Sequence, residues 1–267
     1  MKFSRLSYRS LPGFTLMEIL VVIAIITVLA AIAFPIVGRV RSNSFRADAV
    51  SRMKSLASAT QKFAEMNDGA LPAEDAPGKD NWDATAKPEA EKAWYNSLPK
   101  LLQQKGVGDF VKDNRPAAFY TKEFIGYLPG APYPEGKKMA KPYFALAINS
   151  KLQRKDKEGK KGEVKYNHIV VPERTALFLE HGMPGEPRAN ETISHKDYDG
   201  ACKGTAKGFV ARYANKGLIA FADGHVDLFF AKDLLTSTGD LMWDPNGTTP
   251  VLWLPDPKED PSSKGGG

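Results

Sequence analysis

The hydrophobic residues of this chain are concentrated in one uninterrupted run near the N-terminus. From Ile19 to Gly38, twenty consecutive positions carry no charged side chain. An α-helix of that length is about 30 Å long, which matches the hydrocarbon thickness of a lipid bilayer. The run therefore predicts a helix that can span a membrane.

Beyond Arg39 the pattern becomes amphipathic and predicts that the same helix continues over a globular domain. Apolar residues recur every three to five positions from Val37 to Phe63, with charged residues between them. The sequence Asn67-Asp68-Gly69 should end the helix, with its glycine in the left-handed conformation. We expect one helix from about Phe14 to Met66.

The rest of the chain predicts a second helix followed by strands. Pro88 to Lys105 has an apolar face and a first-turn proline, although Pro99 could divide it. From Ala117 onward, short apolar segments between turn residues predict strands. These segments are Ala118–Thr121, Tyr143–Ile148, Tyr166–Val171, Thr175–Leu179, Phe209–Tyr213, Leu218–Ala222 and His225–Phe230.

Asp223-Gly224 lies between the last two strands and predicts a two-residue type I′ hairpin. That turn pairs Phe221 with Val226 and places four apolar side chains on one sheet face, available for the long helix to cover. The four are Ile219, Phe221, Val226 and Leu228. The sequence thus predicts an α+β architecture, in which a long N-terminal helix packs on an antiparallel β-sheet.

Composition and charge narrow the class of protein. The 267 residues carry a net charge of +6, and the single cysteine, Cys202, excludes an internal disulfide framework and a Cys-rich zinc site. Lys2, Arg5 and Arg9 precede the apolar run, and without residues 1–13 the balance is 34 basic against 31 acidic residues, or +3. That excess is too small to indicate nucleic acid as the main partner.

The apolar run itself has three interpretations. A cleaved secretory signal would end at small residues, for which Ala30-Ala31 and Ala33 could serve. A plain membrane anchor would not need Glu18, because an acid at a membrane boundary is costly without a partner. The third interpretation takes account of the residues before the run. A basic leader ends at Gly13, the apolar Phe14 follows, and Glu18 is the fifth residue after that glycine.

Residues 11–37 resemble the class III leader and helix start of type IV pilins and type II secretion pseudopilins. The match rests on Gly13, Phe14, Glu18, the apolar run, and Pro35 at the family's helix-kink position. The resemblance implies that prepilin peptidase, a membrane-embedded aspartyl enzyme, cuts between Gly13 and Phe14 and methylates the new amine. It also implies that Glu18 meets the Phe14 ammonium of a neighbouring subunit in a filament, where low dielectric strengthens their attraction.

The predicted organisation follows from the leader and the helix. Residues 1–13 form the leader, 14–38 the transmembrane half of the helix, 39–68 its amphipathic half, 69–255 an extracytoplasmic α+β domain, and 256–267 a flexible tail. Because basic residues precede the apolar run, we expect a single pass through the bacterial cytoplasmic (inner) membrane, with the N-terminus in the cytoplasm. The globular domain is then periplasmic or at the cell surface.

A second resemblance covers part of the C-terminal half. In prepilin-type proteins abundant in planctomycetes and verrucomicrobia, a histidine is followed by nine residues and then Asp-Gly. Here Asp223-Gly224 matches, but Tyr213 stands at the histidine position. Thr175–Glu180 and Gly182–Glu186 also resemble members of that group.

Few residues of the globular domain suggest chemistry. The four histidines lack a metal-ligand spacing, so no metal ligand is assigned, although Asp197, Asp199 and Asp223 could offer oxygens to a structural calcium ion. No nucleophile motif or glycine-rich phosphate loop occurs, and Cys202 lies in a glycine-flanked loop. The sequence therefore predicts no enzyme, no catalytic residue and no cofactor.

The segment from Lys151 to Lys165 is basic and predicts a solvated hairpin loop. The alternative is that this segment contacts DNA, acidic polysaccharide or a neighbouring subunit.

Taken together, the sequence predicts a structural subunit of a pilus-like filament, within that class a type II secretion pseudopilin or minor pilin. Its expected partners are prepilin peptidase, other pilin-like subunits in a homo- or hetero-polymer, the inner-membrane assembly platform and membrane lipid. The alternative is a membrane-anchored or fibre-capping surface protein that binds a polysaccharide, DNA or a secreted substrate.

Overall fold

The computed structural model divides the chain into two compact units, residues 1–44 and 45–267. Within them the structure describes residues 14–75, 81–134, 141–152, 154–155, 161–162, 165–187, 198–236, 239–242, 246 and 248–258, with the backbone alone for 33–36, 154–155 and 161–162. The predicted leader, His195, Asp197 and the tail beyond residue 258 lie outside the described residues.

Helix α1 runs from Leu16 to Met66, as the hydrophobic pattern predicts. It is apolar and solvent-exposed in the first unit, and its later turns are amphipathic and belong to the second unit. Asp68 and Gly69 follow it with φ values of 53° and 81°, and the Gly69 N–H donates to the Ala64 carbonyl at 2.8 Å. This left-handed ending confirms the predicted helix stop.

The predicted helix from Pro88 to Lys105 is wrong as a single element. The structure has a 3₁₀ turn at Pro88–Ala90 and a separate helix that begins at Trp94, because the chain is extended at Ala93, where it forms a parallel bridge to Ala73. The buried Asn96 side chain then joins three helices by donating to the Thr85 and Ala90 carbonyls and accepting from the Gly108 N–H. The short helices are α2 at Trp82–Thr85, α3 at Trp94–Leu101 and α4 at Val107–Lys112.

A five-stranded sheet forms the centre of the second unit. Its strands are β1 (Leu146–Asn149), β4 (Ala176–Glu180), β5 (Lys203–Gly204), β6 (Lys216–Phe221) and β7 (Val226–Phe230), in the spatial order β5-β1-β4-β6-β7. The strands β2 (Arg154–Lys155) and β3 (Lys161–Gly162) pair in a separate hairpin. Three pairings are antiparallel, but β5 lies parallel to β1, so the predicted all-antiparallel sheet is corrected to a mixed one.

Three of the predicted strands are not strands. Residues 118–121 belong mostly to a 3₁₀ helix that begins at Pro116, and Tyr166–His168 is another 3₁₀ turn. Phe209–Tyr213 forms only isolated bridges at its two ends. Each segment has strand-forming residues, but none of the three forms a continuous ladder of hydrogen bonds with a neighbouring strand.

The hairpin between β6 and β7 has a three-residue loop, and the predicted two-residue turn is wrong. The Gly224 N–H donates to the Phe221 carbonyl at 3.0 Å, and the Phe221 N–H donates to the His225 carbonyl at 2.9 Å. Gly224 has a φ of 97°, so the glycine follows the turn as its left-handed residue. Ala220 therefore pairs with Val226, one residue away from the predicted register.

That one-residue shift exchanges the two faces of β6. Leu218 and Ala220 face the buried side of α1, where they pack in one core with Met53 and Leu56. On the opposite face a second core contains Ile219, Phe221, Leu179, Val251 and Trp253. The sheet is thus covered on both faces, and the prediction that Ile219 and Phe221 share a face with Val226 and Leu228 is wrong.

Candidate functional site

The first turn of α1 holds Glu18 in a hydrogen-bonded cap. The Glu18 Oε2 atom accepts from both the backbone N–H and the hydroxyl of Thr15, each at 2.8 Å, and the Thr15 hydroxyl accepts from the Glu18 N–H at 3.2 Å. This is the reciprocal capping box that a Thr-x-x-Glu sequence forms at a helix N-terminus. Glu18 was predicted from the sequence whereas Thr15 was not, although the spacing of three residues between them was the available signal.

Around this cap the surface is apolar. Phe14 is 84% exposed, and the large apolar side chains from Leu16 to Ile32 are all about half or more exposed. This part of α1 is long and strongly apolar, and its described side chains are not buried within the protein. By length and composition this helix is able to cross a membrane, since a monomer gives these side chains no protein core to enter.

The structure describes only some of the other predicted residues of the N-terminal site. Gly13 lies outside the described residues, and Phe14 comes two residues before α1 begins. Pro35 lies within the continuous helix, and for this residue the structure describes the backbone alone. Its predicted role as a kink therefore stays a prediction.

A buried charge cluster, formed by Glu180, Glu186 and Arg212, lies at the end of β4 in the second unit. The Arg212 guanidinium donates to both carboxylate oxygens of Glu186 at 2.9 and 2.8 Å, and to Glu180 Oε1 at 3.4 Å. It also donates to the carbonyls of Ala145 and His181 at 3.3 and 2.9 Å. Arg212 therefore joins its own segment to three others, and this bidentate, nearly solvent-free geometry favours a rigid arrangement.

Burial controls the protonation of the groups around Arg212. Desolvation raises the pKa of the Glu180 carboxyl, and the Arg212 charge together with the Leu218 N–H opposes that rise. Burial, and then the Glu180 charge, raise the pKa of the Tyr213 phenol. Burial lowers the pKa of His181 to about 4, although Asp199, with its Oδ1 atom 3.9 Å from the ring Nε2, opposes the change.

This cluster brings together segments that the sequence analysis noted separately. All three belong to the second resemblance: Glu180 ends the segment Thr175–Glu180, Glu186 ends Gly182–Glu186, and Tyr213 stands at the histidine position. The sequence analysis missed Arg212, which is the residue that joins them. The available signal was an arginine directly preceding Tyr213 in a segment with apolar neighbours.

The Asp-Gly turn is docked on the long helix rather than left free. Gln61 of α1 donates from Nε2 to the Ala222 carbonyl at 2.9 Å, and the Tyr166 hydroxyl donates to the same carbonyl. Burial raises the pKa of Tyr166, which keeps it a donor. Asp223 accepts from the backbone N–H of His225 at 3.0 Å and lies 2.7 Å from its ring Nδ1.

The remaining candidates do not gather into a site. Among the residues that the structure describes, no group of three or more His, Cys, Asp or Glu side chains is placed to hold a metal ion. Asp199 accepts from the Ala201 N–H at 2.9 Å, and the buried Cys202 thiol lies 3.4 Å from the Glu74 carbonyl. A calcium site that includes Asp197 stays untested, because that residue lies outside the described part.

Comparison with known protein families gives a match at the N-terminal end of the chain. Residues 12–34 match the family model described as the prokaryotic N-terminal methylation motif. This match supports a type IV pilin-like or pseudopilin subunit, and it covers the capping box and most of the apolar run. No curated protein and no solved structure matches the chain.

Proposed function

We propose that the protein is a structural subunit of a pilus-like filament, of the type II secretion pseudopilin or minor pilin kind. Prepilin peptidase cuts after Gly13 and methylates Phe14, and subunits then polymerise through α1 on an inner-membrane assembly platform. The chain crosses the membrane once, and the globular unit lies outside the cytoplasm. The observation that carries this proposal is a capped carboxylate at the start of a helix whose large apolar side chains are about half or more exposed over its first half.

The Thr15–Glu18 cap explains how the subunit can remain in the lipid bilayer with a charged Glu18 before it assembles. An ionised acid in hydrocarbon is costly, and two donors from Thr15 reduce that cost without removing the charge. The charge is neutralised only when an ammonium group approaches. Cleavage after Gly13 creates that group on Phe14, and its counterpart in a neighbouring subunit can then pair with Glu18.

The exposed apolar surface supports polymerisation through the same helix. Side chains such as Ile26 and Leu29 are 57% and 61% exposed in the single chain, and lipid or other copies of the helix are the surroundings that suit them. In a filament, neighbouring helices would cover this surface after the subunit leaves the bilayer. Both surroundings exclude water, so the transfer between them keeps the apolar contacts.

The processing step is tested by mass spectrometry of the membrane-extracted protein. We expect the mature chain to begin at Phe14 with one added methyl group on its amine. A chain that begins near Ala33, or one that retains residues 1–13 in cells with active peptidase, would contradict the proposal.

The pairing step is tested with three variants of one helix. Glu18→Gln keeps an acceptor for the Thr15 cap but removes the charge, so we expect membrane insertion to persist and filaments, counted by electron microscopy of sheared material, to be lost. Thr15→Val removes the hydroxyl of the cap and keeps the charge, and filaments should decrease less. Glu65→Gln is the control, since that exposed acid lies at the other end of α1. Wild-type filament yield from Glu18→Gln would overturn the pairing.

A further inference from the structure

Two arginines follow the apolar run directly. Arg39 and Arg41 are both exposed, and their apolar neighbours Val37 and Val40 are 63% and 60% exposed. Two residues along an α-helix advance about 3 Å and turn about 200°, so these guanidinium groups lie on opposite sides of the helix at one level. We name Arg39 and Arg41 the arginine pair.

The stretch of α1 that carries the arginine pair contains basic residues and no acidic ones. No acidic residue occurs between Glu18 and Asp48, and Asp48 is itself paired with Arg52 at 2.9 Å. An arginine at the end of a membrane span extends its guanidinium to the headgroup level, where phosphate oxygens accept two hydrogen bonds from one guanidinium. The position of the pair, its exposure and its sign therefore all fit an anionic phospholipid surface.

Leader removal changes the balance of charge across the membrane. Before cleavage Lys2, Arg5 and Arg9 lie on one side of the run and the arginine pair on the other. After cleavage at Gly13, the two arginines of the pair are the basic residues that remain next to the run. The positive charge that remains next to the run then lies at its C-terminal end, from which α1 continues into the globular unit.

We propose that Arg39 and Arg41 bind the phosphate groups of anionic phospholipids at the outer face of the membrane and so retain the cleaved subunit in the bilayer until assembly. This inference rests on the proposed membrane-spanning, cleaved state. Each basic residue near an anionic surface contributes about 1 kcal/mol, or roughly fivefold in affinity. Assembly must separate the pair from these lipids, so the pair also sets how readily a subunit leaves the membrane.

The test uses the full processed chain in nanodiscs that contain equal amounts of phosphatidylglycerol and phosphatidylcholine. Native mass spectrometry after release measures which lipid remains bound. We expect the wild-type chain to retain phosphatidylglycerol preferentially. The Arg39→Gln/Arg41→Gln variant should lose most of that preference, by up to about twentyfivefold. The control Lys54→Gln/Lys62→Gln removes the same charge from exposed positions farther along α1 and should retain it.

The outcomes separate this inference from the proposed function. Equal lipid retention by wild type and the arginine variant overturns the lipid site while leaving insertion intact. Loss of self-association in lipid-free detergent, with lipid retention unchanged, would assign the pair to a second copy of the chain and also overturn it. A chain that alkaline carbonate extracts from membranes would contradict the membrane-spanning function itself.

Discussion

Leu29 and Leu56 lie in the same helix, yet their surroundings are opposite. Leu29, in the first unit, is 61% exposed, and Leu56, in the second unit, is fully buried against the sheet. The first unit is a helix held by its own backbone hydrogen bonds, and under the proposed function lipid or other subunits cover its apolar surface. The second unit is completed by its own core. A defect in the first unit should therefore appear in assembly, and a defect in the second should appear in stability.

The largest expected loss of stability comes from the buried charge cluster. Arg212→Met leaves Glu180 and Glu186 buried without their cation, so we expect the free energy of unfolding to fall by about 3–5 kcal/mol. The measurement is chemical denaturation of the full chain in detergent. Arg115→Met is the matched control, because its pair with Glu123 is exposed and should contribute less than about 1 kcal/mol. Equal decreases in the free energy of unfolding for the two variants would show that the buried cluster contributes no more to stability than an exposed ion pair.

The comparison within α1 can be made directly with two leucines. Leu56→Ala removes a fully buried side chain and should cost about 2–5 kcal/mol in the unfolding of the second unit. Leu29→Ala should change that same transition by less than about 0.5 kcal/mol, because its side chain is exposed. A similar cost for the two substitutions would mean that the first unit contributes to the core of the second.

The stability of the second unit should also depend on pH through His181. Burial holds its pKa at about 4 in the folded chain, against about 6.5 when unfolded. The unfolded state therefore binds the proton first, and stability falls as the pH decreases from about 6.5 to about 4, by roughly 3 kcal/mol in total. Unfolding curves of wild type and His181→Gln across this window isolate the effect. Parallel pH profiles for the two proteins would remove His181 as its source.

A smaller effect is expected at the hairpin turn. Gly224 has a φ of 97°, and a Cβ there would meet nothing closer than the Gln61 amide nitrogen at 3.8 Å. Gly224→Ala should thus cost about 1–2 kcal/mol from backbone strain alone. Gly224→Asn should cost less, because asparagine tolerates the left-handed region. If alanine is accepted without loss, the three-residue loop is not required by the fold.

Much of the first unit and of the sheet could be predicted from local patterns. The helix from Leu16 to Met66 and its left-handed ending followed from periodicity and from Asn67-Asp68-Gly69. The hairpin register did not, because Asp223-Gly224 suits both a two-residue turn and the end of a three-residue loop. The choice depends on which face of β6 meets α1, and here Gln61 and Tyr166 bind the Ala222 carbonyl of the longer loop.

The sequence by itself determined the membrane-compatible helix, its processing motif and the acid at its start, because each of these depends on neighbours within one or two helical turns. Tertiary structure alone decided that Glu180, Glu186 and Arg212 meet, since they are brought together from separate segments across the sheet. It also decided the parallel β5 strand and the two-sided sheet. Short-range hydrogen bonds and hydrophobic periodicity depend on residues that are close in sequence. The pairing of a buried charge depends instead on which distant segments pack together and exclude water around it.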